Sequence, residues 1–280
     1  MKPLTEQQLM SFKADGFLHI PGLVPAEELK AVQADTLALI SKGLEGPIAD
    51  DSYCYGADAQ DKNKQCLFRI NNLLTRFGNH ESFKLLLAYP KLLAAIQQAV
   101  NGDYFASTVH STVFKIPHRG YPVPWHQDPV PVHRFPVFNV DIYLDEAHPG
   151  NGGLWVIPGS HLGGYHGGQE GMAFLKSWTK GKEEEAPGAI PVYCQPGDVI
   201  FHATSVIHGS FWNRSESLRR TIYFHIDHFE DVALKPASDW PRNQYLLCEK
   251  LMAEAIALRK QRHPAEQPFP YRTLPEGMLA

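Results

Sequence analysis

The stretch TSVIHGSFWNRSESLRRTIYFH, residues 204–225, decides how the fold is read. Its last third alternates. In an extended strand Arg219, Thr221 and Tyr223 fall on one side, while Arg220, Ile222, Phe224 and then Ile226 fall on the other. One face is polar and the other apolar apart from its first residue. Such a strand suits a sheet that lines a polar cavity on one side and packs on flanking helices on the other. His208 lies just upstream, across a turn rich in Ser and Asn.

Working outward, the chain from Gly102 to this strand is a series of short β-rich runs: Tyr104–Ile116, Val137–Leu144, Gly153–Ile157, Ile190–Tyr193, Val199–His202 and Arg220–Ile226. Turn clusters such as His148-Pro149-Gly150-Asn151-Gly152-Gly153 and Gln195-Pro196-Gly197-Asp198 separate them, which predicts an antiparallel sandwich or barrel. Before Gly102 the texture is helical. Thr5 and Gln8 have capping-box spacing for a helix to about Ala14, followed by a short strand at Phe17–Ile20. A further helix starts with Pro25 in its first position and stops near Gly43. Residues 44–66 read as a polar loop, and a helical region runs from about Glu81 to Val100, ending at Asn101-Gly102. A last helix from Trp240-Pro241 to about Arg262 precedes a Pro-rich tail. The expected architecture is mainly β with flanking helices. It forms one domain over 1–280: a helical region of about 1–102, a barrel or jelly-roll core of about 103–230, and a C-terminal helix and tail of about 231–280. Residues 163–188 interrupt the β region as a lid or a solvated excursion, and Lys180, Lys182 and Glu183–Glu185 within them read as a solvated charge run.

Composition narrows the function. The 280 residues carry 26 Lys+Arg against 30 Asp+Glu, a formal charge of -4, which argues against a broad nucleic-acid surface. With 44% hydrophobic and 20% charged residues the chain is globular, and no apolar run approaches a membrane span or a signal peptide. Cys54, Cys66, Cys194 and Cys248 form no CxxC pair, which suits a reducing, cytoplasmic setting.

Fourteen histidines invite a search for metal ligands. In a strand, His and an acid two residues apart point the same way and can share one ion. About 1.5 such pairs are expected by chance from this composition. The chain has three: His126/Asp128, His225/Asp227 and His228/Glu230. A mononuclear non-haem iron site needs two His and one carboxylate on one face. Only His263, in the tail, follows the last two pairs, whereas the first precedes a complete β-rich stretch that leads to His208. The set is therefore His126, Asp128 and His208. An acidic co-substrate would also need a cation, and Arg219 on the polar face of its strand could bind a carboxylate with both prongs of its guanidinium. A structural salt bridge or a surface position for Arg219 is equally open. His202, His225 and His228 read as hydrogen-bonded strand residues, and Trp125 as a barrel-core aromatic or a pocket wall.

WHQD (125–128), GGLWVIPGSH (152–161), GDVIFHATSVIHGS (197–210) and the spacing to Arg219, together with the opening LTEQQLMSFKADGFLHIPGLVPAEELKAV, resemble the phytanoyl-CoA dioxygenase family over roughly residues 4–230. The resemblance implies a double-stranded β-helix (jelly roll, cupin-like) and an oxygenase using Fe(II), 2-oxoglutarate and O2. It places the metal on His126, Asp128 and His208, and the far carboxylate of 2-oxoglutarate on Arg219 with support from the Ser210 hydroxyl. Lys115 stands near a family position that touches co-substrate or substrate. Trp125, Gln127 and Tyr143 are candidate pocket residues. Where the family often carries Trp, this chain has Ile142 or Tyr143. Asp128 favours hydroxylation over halogenation, since related halogenases replace the acid with a small residue. The implied reaction hydroxylates a small molecule at an unactivated C–H bond and releases succinate and CO2. The alternatives are a cupin-type metal enzyme without 2-oxoglutarate, for which Arg219 and Ser210 would have no use, and a barrel that binds a ligand or partner without turnover. Arg119 and Arg134 hint at a phosphate-bearing substrate such as a CoA thioester. The sequence sets neither the substrate nor an oligomeric state.

Overall fold

Reciprocal bonds between Thr5 and Gln8 start helix α1 (Glu6–Asp15) as a capping box. Gly16, at φ 77°, ends that helix and turns the chain into strand β1 (Phe17–Ile20). The computed structural model describes residues 2–58, 61, 64–128, 137–166, 168–179, 186–234 and 240–279. Pro25 precedes helix α2 (Ala26–Leu44) as its N-cap, one position earlier than expected. Gly43 does not stop this helix. It lies in the last turn, where a Cβ would come 2.5 Å from Leu67 and 2.9 Å from Tyr53, so only glycine lets the helix approach so closely.

The polar loop expected at 44–66 is corrected. Its second half forms β2 (Tyr53–Ala57), which pairs antiparallel with β3 (Gln65–Ile70). The run shows no clean apolar alternation because this hairpin ends a sheet and turns polar groups toward the interior. The expected helix at 81–100 is two, α3 (Glu81–Leu87) and α4 (Pro90–Val100), since Pro90 disfavours helical geometry at Tyr89 and begins a new helix.

From here strands dominate: β4 (Phe105–Lys115), β5 (Val123–His126), β6 (Phe138–Tyr143) and β7 (Leu154–Ile157). Helix α5 (Gly168–Trp178) lies in the insertion, and the charge run at 180–185 lies outside the described residues, as does Arg134. Strands β8 (Ile190–Pro191), β9 (Val199–Ala203), β10 (Ile207–Ser210) and β11 (Arg219–His228) complete the sheets, β8 being shorter than the expected 190–193. Short α6 (Phe229–Ala233) and long α7 (Trp240–Arg262) follow.

Among the described residues all strand pairings are antiparallel, in a large sheet ordered β1-β9-β6-β11-β4-β3-β2 and a small one ordered β5-β10-β7-β8. This is the double-stranded β-helix. The outer face of the large sheet buries Phe114, Phe138, Val140, Ile142, Phe201, Ile222 and Phe224 with residues of α1–α4 and α7 in one apolar core. The alternate residues of the same strands are left facing the space between the sheets. Among the described residues no helix is long and apolar enough to cross a membrane.

Candidate metal centre

β5 and β10 pair so that His126 lies directly opposite His208, with ring centroids 4.2 Å apart. Asp128 follows two residues after His126, just past the strand end, where its N–H is held by the Thr204 carbonyl at 2.8 Å. Ligand atoms of His126, Asp128 and His208 all lie within 4.8 Å of one another. The structure thus brings the three sequence-derived ligands together.

Their supports set their chemistry. His126 Nδ1 lies 2.9 Å from the Pro124 carbonyl, and His208 Nδ1 2.9 Å from the Val206 carbonyl. A carbonyl only accepts, so both Nδ1 atoms carry the proton and both Nε2 lone pairs are free for a cation. Asn139 on β6 donates to Asp128 Oδ2 at 2.6 Å and leaves Oδ1 unclaimed by that bond. The Asn139 Oδ1 accepts from Tyr223 OH at 2.7 Å and from His225 Nδ1 at 2.8 Å. Burial alone would raise the Asp128 pKa, but His126, His208 and His202 outweigh it and hold the carboxyl well below its usual range. Burial, reinforced by the neighbouring His126 and His202, holds His208 down at about 3, a neutral ligand at ordinary pH.

Arg219 and Arg220 separate as the alternation requires. Arg220 forks onto Asp145 with two bonds of 2.8 Å and also reaches the Gln33 carbonyl of α2. Arg219 turns inward and is buried, donating to Thr221 Oγ1 at 2.6 Å, to the Gly152 carbonyl at 2.9 Å and to Ser210 Oγ at 3.3 Å. Its Nε has no partner and no described acid pairs with it, which removes the salt-bridge and surface readings. Burial lowers its pKa, and an anion beside it would compensate the charge.

Lys115 pairs in register with Arg219, but its ammonium donates to the backbone carbonyls of Ser210 and Tyr121. It therefore braces the strand that carries Ser210. Tyr143 is buried with Leu154, Val156, Val192, Cys194 and Ile200, an apolar end of the same interior. Trp125 takes the barrel-core place. As the neighbour of a ligand that faces inward, it faces away, packing on Phe211, Leu175 and Trp178. Gln127 is likewise spent on structure, for its amide joins the carbonyls of Gly164 and Ser205 to the N–H of His166. Arg119 is half-exposed and 3.8 Å from Asp58.

The other His/acid pairs serve the scaffold. His225 belongs to the Asn139 network, Asp227 binds Thr108, and His228 Nδ1 caps the Glu230 N–H. His202 is paired with Asp141 at 3.1 Å, its ring 4.6 Å from that of His208. A second grouping of His19, Cys194 and Asp198 has the spacing for a metal. The Asp198 oxygens, however, already accept from Gly22 N, Gln195 N and His19. Sequence reading missed Asn139. The signal was present, because alternation along FNVDIY puts Asn139 and Asp141 on the cavity face between buried apolar residues.

Comparison with known proteins identifies the family and the fold. Residues 12–221 match the family model described as phytanoyl-CoA dioxygenase. The phytanoyl-CoA dioxygenase domain-containing protein 1 of Bos taurus is 26% identical over 277 residues, covering 81% of this chain and 91% of that protein. The crystal structure of EvdMO1 superposes with a TM-score of 0.66 and 30% identity over 79% of this chain, which spans 49% of EvdMO1. EctD from S. alaskensis shares the fold at 20% identity over 82% of this chain. Its structure with bound Fe gives a TM-score of 0.62 and 79% coverage of EctD, and that with 2-oxoglutarate and 5-hydroxyectoine gives 0.60 and 78%.

Proposed function

The chain belongs to the phytanoyl-CoA dioxygenase family, and on that premise we propose that it hydroxylates a small molecule at an unactivated C–H bond, as one oxygenase domain releasing succinate and CO2. Fe(II), 2-oxoglutarate and O2 are the cofactors and co-substrates of this chemistry. Two imidazoles and a carboxylate on one face suit Fe(II). A buried guanidinium with an orphaned Nε suits the remote carboxylate of 2-oxoglutarate.

The observation that carries the reading is Arg219, a buried cation without an acid, facing the same interior as the triad. A metal enzyme indifferent to 2-oxoglutarate would have no use for it. In this reading His126, Asp128 and His208 hold the iron, and Arg219 with Ser210 and Thr221 holds the co-substrate's far carboxylate. When bound, iron and 2-oxoglutarate supply the oxidising power that turns C–H into C–OH. The chain's own residues do the rest. The two Nδ1–H bonds to backbone fix which imidazole nitrogens are available, and Asn139 fixes the orientation of Asp128. The apolar end around Tyr143, Leu154 and Val156 excludes water. Asp128 fills the third ligand position, which favours hydroxylation over halogenation. All four cysteines are unpaired, in keeping with the reducing, cytoplasmic setting we infer.

The test is an anaerobic titration of the metal-free protein with Fe(II) and then 2-oxoglutarate, following the visible charge-transfer band of the chelate. The band is expected only with both present. Arg219→Met should weaken 2-oxoglutarate by about tenfold or more while leaving Fe(II) affinity unchanged. Iron binding without a band would favour a metal enzyme that does not use 2-oxoglutarate, and absence of iron binding would remove the catalytic reading.

A further inference from the structure

The segment that carries two of the three ligands is also the anchor of the insertion. His126 and Asp128 meet His208, while the residues that alternate with them, Trp125 and Gln127, hold the chain of residues 164–178. Trp125 packs on Leu175 and Trp178 of α5, and Leu175 is buried. The Gln127 side chain, also buried, donates from Nε2 to the Ser205 carbonyl at 2.5 Å and to the Gly164 carbonyl at 2.9 Å, and its Oε1 accepts from the His166 N–H at 2.6 Å. The His166 ring in turn lies 4.8 Å from that of Phe174 on α5. Ser205 belongs to the turn that leads into β10, closed by a bond from Val206 N to the Ala203 carbonyl, and the Thr204 carbonyl of this turn holds the Asp128 N–H. One amide thus joins three segments: the ligand segment 126–128, the turn before His208, and the start of the insertion.

We infer that Gln127 is a positioning residue that makes occupation of the metal centre and docking of the insertion reinforce each other. The inference rests on His126, Asp128 and His208 holding a metal, and extends that reading to the insertion. A metal would join the ligand segment to the segment of His208 through their side chains. Gln127 joins the same two segments through its amide and adds the insertion as a third. Once one of these crosslinks is in place, the groups of the other are already gathered, so part of its ordering cost is met. Gln127 lies between two ligands, and its backbone cannot shift far without displacing one of them. The linkage is reciprocal: the factor by which a metal favours the docked insertion equals the factor by which docking favours the metal. An amide that merely stapled the insertion in place would leave metal affinity indifferent to α5.

The test uses the full chain, metal-free and saturated with Mn(II) as the probe metal, without 2-oxoglutarate. Hydrogen exchange reads the amides of His166 and Ala173–Thr179, with those of α7 as reference, and calorimetric titration reads Mn(II) affinity. In the wild type, Mn(II) should slow exchange in the insertion by about fivefold or more and leave α7 unchanged. Gln127→Met keeps the length of the side chain and removes its three bonds. It should speed exchange in the insertion and weaken Mn(II) by about the factor that Mn(II) slows exchange in the wild type. Leu175→Ala loosens α5 from Trp125 without touching the ligand segment, so it should also weaken Mn(II), and it keeps the inference testable if Gln127→Met does not fold. Three results would overturn the inference: Mn(II) binding that leaves exchange in the insertion unchanged, or either variant releasing the insertion with Mn(II) affinity unchanged. Absence of Mn(II) binding by the wild type would instead count against the underlying metal reading.

Discussion

Asn139 offers the sharpest test of how the metal ligands are held. It is fully buried and makes three bonds, donating to Asp128 at 2.6 Å and accepting from Tyr223 at 2.7 Å and His225 at 2.8 Å. Asn139→Leu keeps the volume and removes all three. Two buried donors lose their acceptor, at about 1–3 kcal/mol each, so a stability loss of about 2–6 kcal/mol is expected in urea unfolding of the metal-free protein. Asp128 also loses the bond that orients it, and outer-shell losses of this kind typically cost about 10–100-fold in metal affinity. Two controls divide the effects. Tyr223→Phe removes one donor and no acceptor, so it should lower stability by about 0.5–1.5 kcal/mol and leave Fe(II) affinity unchanged. Asn139→Asp keeps both acceptor roles but replaces donation to Asp128 with a like charge, so Fe(II) affinity should change even if Asn139→Leu does not fold. Anaerobic calorimetric titration with Fe(II) reads all three variants. If Asn139→Leu and Asn139→Asp both folded and bound Fe(II) as the wild type does, the claim that this amide aims Asp128 would fail.

Arg220 should behave unlike its neighbour. Arg220→Met strands the partly buried Asp145 and is expected to cost about 3–5 kcal/mol in urea unfolding while leaving 2-oxoglutarate affinity intact; a selective loss of co-substrate binding would reverse the assignment of the two strand faces. His110 provides a pH signature away from the site. Burial holds its pKa at about 3, against 6.5 for an ordinary histidine, so between these values the unfolded chain binds a proton that the native state refuses. Stability present above about 6.5 should therefore fall as the pH drops toward 3. His110→Leu should have a shallower decline between pH 6.5 and 5 in denaturant titrations, and identical slopes would show that the ring is not held neutral.

The meeting of His126, Asp128 and His208 was legible because strand geometry and chain order act together. The i, i+2 projection put His126 and Asp128 on one side, and only that pair is followed by strands able to return a second histidine. Period-two alternation also told Arg219 from Arg220. The same rule, applied one residue along, accounts for the packing of Trp125 on Phe211, since the neighbour of an inward residue on a strand points outward. What escaped were residues whose role depends on pairing across strands. Strand β2 lay wholly in the segment 44–66 read as loop, because a hairpin closing a polar interior has no apolar stripe to announce it. Asn139 carries no motif, and its importance comes from being placed against Asp128 by a register the sequence does not reveal. Lys115 has the charge expected near a co-substrate, yet backbone carbonyls claim it. The break at Ala88–Tyr89 was marked by Pro90, whereas the helix inside the insertion had no clear terminating signals.

The supports beneath the three ligands differ in how they could be lost. The imidazoles of His126 and His208 lean on backbone carbonyls two residues back along the chain, and every amino acid at those positions brings the same carbonyl. No single side-chain replacement at Pro124 or Val206 deletes those acceptors, so their tautomers are as durable as the strands themselves. Asp128 depends on the Asn139 side chain, which one codon change can abolish. Under random mutation the centre should fail first at its carboxylate, leaving for a time a barrel with two correctly poised histidines and an unaimed acid.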